Sequence, residues 1–218
     1  MMDEKEMSDR TPPRGERHVD GRRVYDGRIL SLRVDDVRLP SGRMALREVV
    51  EHRAAVAALA LTDRGTVLLA RQYRYAVDEE TLEICAGLLE EGEDPRSAAE
   101  REMQEELGVK ARTLTEIGSF YASPGFCTEL LTLFVAEGLS SSSLPQDEDE
   151  DVSVREIPVA DLPRLMAEGA FRDSKTFAAL AWLMAREGLR PVMPGQGDAP
   201  RRGDEVYDRP RASMPPIS

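Results

Sequence analysis

Residues 87 to 109 read GLLEEGEDPRSAAEREMQEELGV, a loop that delivers a carboxylate-rich helix. Asp94 suits the N-cap, Pro95 the first helical position and Gly108 the residue just past the end. Ala99, Met103 and Leu107 recur at steps of four and form the face that can be buried. At 3.6 residues per turn, Glu102, Glu105 and Glu106 fall within an arc of roughly 100° on another side. Glu102 and Glu106 stand one above the other at i and i+4. Carboxylates this close repel one another unless a cation sits among them, and hard divalent ions such as Mg²⁺ take oxygen ligands. A solvated glutamate-rich face would show the same three residues, so the helix alone does not decide.

The wider spacing decides. Gly87, five residues, Glu93, seven residues and then Arg101-Glu102-Met103-Gln104-Glu105-Glu106-Leu107-Gly108-Val109 resembles the Nudix box at every defined position. The resemblance implies an α/β fold, the Nudix α/β/α sandwich with a mixed sheet between helices, preceded by a small N-terminal antiparallel β unit. It also implies Mg²⁺ as cofactor, with Mn²⁺ able to substitute. Glu102 and Glu106 would hold the metal with Glu105 in support, and the Ala86 carbonyl matches a further ligand. Gly87 would let the chain turn and approach the ion closely. Glu93 and Arg101 match a structural ion pair holding the loop to the helix, and Gly108 closes the motif.

Composition bounds what surrounds this motif. The 218 residues carry a formal net charge of −12, which argues against a general nucleic-acid or anionic-membrane binder. Two cysteines, Cys85 and Cys127, fit a reducing cytoplasm and give no metal-ligand cluster. No apolar run is long enough to span a bilayer, and the polar N-terminus lacks a signal peptide's apolar core. The organisation expected is a disordered tail over residues 1–20, an N-terminal β unit over 21–52, the Nudix domain over 53–188 and a disordered C-terminal tail over 189–218.

On the N-terminal side of the box, Ala54 to Leu61 and Thr66 to Ala70 are near-continuous apolar runs split by Asp63-Arg64-Gly65. They read as central strands buried on both faces. Arg71-Gln72-Tyr73-Arg74 follows. Two arginines at a strand end could clamp a pyrophosphate or simply solubilise the loop; Tyr73 reads as packing. RQYRYAV resembles the segment before the box in the ADP-ribose pyrophosphatase branch of the family, which favours a substrate role for Arg71. In TLEICA, Glu83 points opposite to Leu82 and Ile84, and the branch places a glutamate here near the substrate's terminal ribose. Further back, Leu30, Leu32 and Val34 alternate, Pro40-Ser41-Gly42 makes a turn, and Met44 to Val50 runs back out. Relatives in this branch exchange or pack such a unit across a homodimer. Arg47 matches a substrate-contacting arginine there, or is a surface arginine on an edge strand. Where relatives stack the adenine on an aromatic residue, this chain has Ile29 and Leu30.

Beyond the helix, Val109 to Phe120 reads as a strand and YASPGFCTE as a turn. Pro124, 15 residues past Val109, with Gly125 resembles the SPG element of the same branch. Leu130 to Val135 reads as a further strand. GLSSSSLPQDEDED then changes character to serine and acid, a solvated loop by composition. In the family this loop supplies the general base, and the register favours Glu148 for that part, with Glu150 as the near alternative. Val152 to Val159 reads as the last strand, Leu162 to Glu168 as a short helix, and Ser174 to Glu187 as a longer one. Phe177, Leu180 and Met184, with Ala181 and Trp182 beside them, read as its core face.

The resemblance thus implies a homodimeric enzyme that hydrolyses ADP-ribose to AMP and ribose 5-phosphate. Rivals are hydrolysis of a nucleotide sugar or dinucleotide by the same machinery, cleansing of damaged nucleoside triphosphates, and a non-catalytic ligand sensor.

Overall fold

The computed structural model describes residues 15–146 and 151–190. Strand β4 (Ala55–Leu61) is the axis of the main sheet, and all seven of its residues are buried. A strand sends successive side chains to opposite faces, so a continuous apolar run means that both faces are covered. Ala55, Ala57, Leu59 and Leu61 enter one core, with Leu162, Leu180 and Leu183 of the C-terminal helices. Val56, Ala58 and Ala60 enter a second core, with Ala98, Ala99 and Met103 of the acid-rich helix. Small residues on that second face let the helix approach the sheet closely.

Around β4 the sheet takes in β5 (Thr66–Arg74), β6 (Glu79–Glu83), β7 (Cys85–Leu88), β8 (Val109–Tyr121), β9 (Leu130–Ser141) and β10 (Ser153–Pro158). The main path runs β10-β5-β4-β9-β8, with β6 on β5 and β7 on β4. β4 and β9 run parallel while the other pairs are antiparallel, so the sheet is mixed. Helix α1 (Pro95–Glu106) covers one face; α2 (Leu162–Ala167) and α3 (Ser174–Arg186) cover the other. The three-layer α/β/α architecture expected from the sequence is the one observed. Among the described residues, no helix is long and apolar enough to cross a membrane.

The N-terminal unit is a separate three-stranded antiparallel sheet, ordered β1 (Arg17–Asp26), β2 (Leu30–Arg38) and β3 (Met44–His52). The Pro40-Ser41-Gly42 turn closes β2 onto β3, with the Gly42 N–H donating to the Leu39 carbonyl at 2.9 Å. The first strand corrects the sequence reading, because it starts at Arg17, inside the segment assigned to the tail. All ten of its residues are exposed, so it shows no apolar alternation to read, and backbone pairing with β2 defines it. Residues 1–14 and 191–218 lie outside the described residues. At the other end the chain remains folded past 188: Gly188 takes φ +67° and the Leu189 N–H donates to the Met184 carbonyl at 2.8 Å. That is a helix stop in which the residue after the glycine folds back on the core.

Two further readings change. The buried stripe of α3 is Thr176, Ala179, Leu180, Leu183 and Met184. Phe177 is half exposed, Ala181 faces solvent, and Trp182 is partly buried under the Arg186 guanidinium, 5.2 Å from its ring centre. The apolar residues of α3 exceed one stripe, so periodicity alone did not choose the face. Tyr73, read as packing, is half exposed and donates its hydroxyl to Asp78.

Candidate active site

Helix α1 is set in place at both ends. Asp94 accepts the Ser97 N–H at 3.2 Å, Pro95 occupies the first turn, and Gly108 leaves the helix at φ +66°, where a Cβ would be strained. Burying Ala98, Ala99 and Met103 against β4 fixes the rotation about the axis. That rotation carries Glu102 and Glu106, one turn apart on the same side of Met103, into the seam between helix and sheet, 8% and 2% exposed.

There they meet the chain just before the box. A Cβ built on Gly87 would lie 1.8 Å from Glu102 Oε1, so only glycine permits the carboxylate to rest on this backbone. One residue earlier, the Ala86 N–H donates to Glu106 Oε2 at 3.3 Å. Arg101 gathers the remaining acids. Its Nη1 donates to Glu102 Oε1 at 2.7 Å and to Glu105 Oε2 at 2.9 Å. Nε and Nη2 engage both oxygens of Glu93 at 3.1 and 3.2 Å, and Nη2 also reaches the Leu88 carbonyl. The hydrogen bonds from Arg101 lower the Glu93 pKa, and Arg101 in turn is held charged. Beneath them Cys85 is fully buried, and burial together with the nearby Glu106 charge pushes its thiol pKa well up. It is a core residue, as the sequence suggested, and not a nucleophile.

The structure therefore brings Ala86, Gly87, Glu93, Arg101, Glu102, Glu105 and Glu106 together in one place. Among the described residues no three acidic, histidine or cysteine side chains converge as a ligand set; Arg101 Nη1 bridges Glu102 and Glu105 instead. The donor chemistry nevertheless fits a hard divalent cation. It consists of oxygens only, two carboxylates are buried on one helix face, and Gly87 leaves the space that Glu102 fills.

A second group of charges lines a cleft of about 310 Å³ bounded by β5, β6, the β8–β9 connection and the start of α3. Glu83 sits at its floor, 2% exposed. Arg74 donates from Nε and Nη2 to its two oxygens at 2.9 and 2.7 Å, Thr81 donates at 2.6 Å, and Lys175 completes the ring. Burial alone would raise the Glu83 pKa. The Arg74 hydrogen bonds and the Lys175 charge outweigh it and hold the carboxyl at about 2. Asp173 caps α3 through the Thr176 N–H and hydroxyl, and Thr176 Oγ1 accepts the Ile84 N–H at 2.9 Å. The start of α3 is thereby stapled to the strand that enters the box. Arg74 feels Glu106 as well as Glu83, which ties the cleft electrostatically to α1.

The other predicted residues lie apart from these clusters. Arg71 pairs with Glu80 on β6. Arg47 is on β3, held by Glu16 at 2.8 Å and the Leu46 carbonyl. Pro124 and Gly125 are exposed in a turn closed by the Ser123 carbonyl, which accepts the Phe126 and Cys127 N–H groups. That turn is pinned to β3 by Val50, whose N–H donates to the Phe126 carbonyl at 2.7 Å and whose carbonyl accepts from Thr128 at 3.0 Å. Glu148 and Glu150 lie outside the described residues. The segment leading to them is anchored to α1: the Ser142 hydroxyl donates to Gln104 Oε1 and the Leu144 N–H to the Gln104 carbonyl, both at 3.0 Å. Lys175, Asp173 and Thr176 went unread in the sequence. The available signal was a lysine in the first turn of a helix, where the dipole disfavours a cation and a partner must compensate.

A buried acid pair pressed against a glycine, with a cleft alongside whose lining pairs Arg74, Arg172 and Lys175 with Glu83, Glu129 and Asp173, supplies oxygen ligands of the kind a metal-assisted hydrolysis needs. Comparison with known proteins makes this specific. Residues 51–180 match the NUDIX domain, and residues 17–50 match the nucleoside diphosphate sugar hydrolase N-terminal domain. The ADP-ribose pyrophosphatase of Bacillus subtilis (strain 168) is 40% identical over 177 residues, covering 80% of this chain and 96% of that protein. The methanol dehydrogenase activator of Bacillus methanolicus is 38% identical with the same coverage. A crystal structure of an ADP compounds hydrolase superposes with a TM-score of 0.72 over 79% of this chain and 96% of that one; at 24% identity it bears on the fold. The chain belongs to the Nudix family and is a Nudix pyrophosphohydrolase.

Proposed function

We propose that the protein hydrolyses the pyrophosphate bond of ADP-ribose to AMP and ribose 5-phosphate, with Mg²⁺ as its cofactor and Mn²⁺ as a substitute. The observation that carries the substrate is the 40% identity to an ADP-ribose pyrophosphatase across almost that protein's entire length. Glu102 and Glu106 would hold the metal, with Glu105 and the Ala86 carbonyl in support. When bound, it would supply charge neutralisation at the phosphates and a lowered pKa for water. Arg101 keeps Glu102 and Glu105 on the same side of the helix, Gly87 gives Glu102 its seat, and Glu93 holds the loop. Glu148 or Glu150 takes the proton from the attacking water. Arg71, Arg47 and the Pro124-Gly125 turn are the substrate contacts in this reading, shared between two copies of the chain, and Glu83 lies near the substrate's terminal ribose. The exposed Val19, Val24, Tyr25 and Leu46 of the N-terminal sheet support such a homodimer, because a second copy would cover them. Two free cysteines support a cytoplasmic location.

A second substrate class has its own observation. The N-terminal match is to a domain of nucleoside diphosphate sugar hydrolases, so a nucleotide sugar is the competing substrate. One panel separates the two: ADP-ribose, a nucleotide sugar, a dinucleotide and a nucleoside triphosphate, each with Mg²⁺, Mn²⁺ or a chelator. ADP-ribose should lead in kcat/KM, and the chelator should abolish turnover. A nucleotide sugar in the lead would replace the substrate and leave the mechanism; turnover undiminished by chelation would overturn the metal assignment.

A further inference from the structure

The last turn of α1 is the part of the helix that local physics favours least. Glu105 and Glu106 stand at the negative end of the helix dipole, and that turn holds no basic residue. The final carbonyls of a helix also lack partners within it. Yet this turn carries Glu106, whose Oε2 accepts the Ala86 N–H at 3.3 Å. The segment that follows β9 holds the turn from outside. The Ser142 N–H donates to the Gly108 carbonyl at 2.9 Å, and the Leu144 N–H to the Gln104 carbonyl at 3.0 Å. The Ser142 hydroxyl donates to Gln104 Oε1 at 3.0 Å, while Gln104 Nε2 donates to the Glu100 carbonyl at 3.0 Å. Gln104 thus meets the segment with both its backbone and its side chain, and its amide is engaged at both ends. At 3.6 residues per turn it lies roughly 160° around the axis from both Glu102 and Glu106, so it faces away from those carboxylates and is no metal ligand itself.

We propose that Gln104 is a positioning residue: clasped by Ser142 and Leu144, it locks the last turn of α1 and so holds Glu106 in place for the divalent cation. The proposal rests on the metal reading above. Helix ends open more readily than helix interiors, and an open last turn would carry Glu106 away from the Ala86 N–H and from Glu102. Each hydrogen bond to the segment that follows β9 shifts that local equilibrium toward the closed turn. Loss of the Ser142–Gln104 side-chain bond should cost about fivefold in the closed population, which is about 1 kcal/mol. A ligand that binds only the closed turn weakens in proportion once the open turn prevails.

Metal affinity and amide exchange test this on the full-length protein. Mn²⁺ binding is titrated by electron paramagnetic resonance, and exchange of the Ala86 and Leu59 amides is followed by NMR without metal, together with Tm. The Mn²⁺ site in question is the one that Glu106→Gln removes. Gln104→Leu and Ser142→Ala should each weaken that site by up to about fivefold. Each should also speed Ala86 exchange beyond any change at Leu59, whose place in the core makes it a reporter of global opening. The two substitutions delete the same side-chain bond, so the double variant should be no worse than the weaker-binding single. Ser142→Thr keeps the hydroxyl and should match the wild type. A lower Tm with Mn²⁺ affinity and Ala86 exchange unchanged would make the contact merely structural and overturn the proposal. Additive losses in the double variant, or Ser142→Thr as weak as Ser142→Ala, overturn it too. If no Mn²⁺ site of the wild type depends on Glu106, the metal reading falls separately. Ala86 exchange then decides alone: a gain over Leu59 in both single variants sustains Gln104 as the residue that holds Glu106, and no gain ends that role.

Discussion

At the cleft floor two carboxylates, Glu83 and Asp173, are met by two cations, Arg74 and Lys175, and every lone-pair site of Glu83 has a donor. Around α1 three carboxylates, Glu93, Glu102 and Glu105, close on the guanidinium of Arg101, and Glu106, buried one turn beyond Glu102, interacts with Arg74. Both groups are built on carboxylates largely shielded from solvent, yet their surroundings differ. A balanced cluster is a finished structural device: its charges hold one another in position. Carboxylates gathered on a shared guanidinium repel one another and gain from a further positive charge. The two regions therefore differ in what a cation would do: the α1 carboxylates would gain from one, and the Glu83 oxygens already have their donors.

The largest effect should come from breaking the acid-rich side. Glu106→Gln keeps the shape and an acceptor for the Ala86 N–H but removes a charge. Loss of metal-dependent transition-state stabilisation of several kcal/mol corresponds to a drop in kcat of about 10³-fold or more. Tm should hold or rise, since one source of repulsion is gone. A variant retaining a tenth of wild-type turnover would show that Glu106 is not a metal ligand.

Next comes the seat of Glu102. Gly87→Ala would put a methyl group within 1.8 Å of a carboxylate oxygen, so the side chain or the β7 backbone must shift. Misplacing a reacting group by about 1 Å costs about 10²-fold. Activity should fall by that order, with Glu102 displaced in a crystal structure of the variant. An equally active alanine variant would mean that Glu102 moves freely and that the close approach has no function.

How much of this the sequence disclosed follows from how each feature is encoded. The α1 region is local: cap, proline, glycine and the glutamate spacing lie within one short stretch, and the structure has them in one place. The fold was legible for a similar reason, because burial on both faces leaves β4 an unbroken apolar run. The cleft is assembled from strands and a helix that lie about 100 residues apart, and Lys175 meets Glu83 only through the tertiary fold. Strand β1 escaped notice because it buries nothing. The face of α3 was misjudged because Phe177 and Trp182 are as apolar as the residues that are buried.

The smallest effect is the most direct check that the cleft cluster is balanced. The Glu83 carboxyl sits at about 2, against an ordinary 4.5. A depressed acid contributes stability that is fully present above its unfolded pKa and is lost as pH falls toward its folded pKa. For Glu83 that window runs from about 4.5 down to about 2. By pH 3 the unfolded chain has taken up most of its proton while the folded chain has not, and about 2 kcal/mol of the contribution is gone. Glu83→Gln lacks this dependence. The Tm gap between wild type and variant should be widest near neutrality and narrow steadily through the acid window. If the gap stays constant from neutrality to pH 3, Glu83 titrates alike in the folded and unfolded chain. Its pairing with Arg74 and Lys175 would then carry no net stability, and the contrast between the two carboxylate groups would be one of geometry alone.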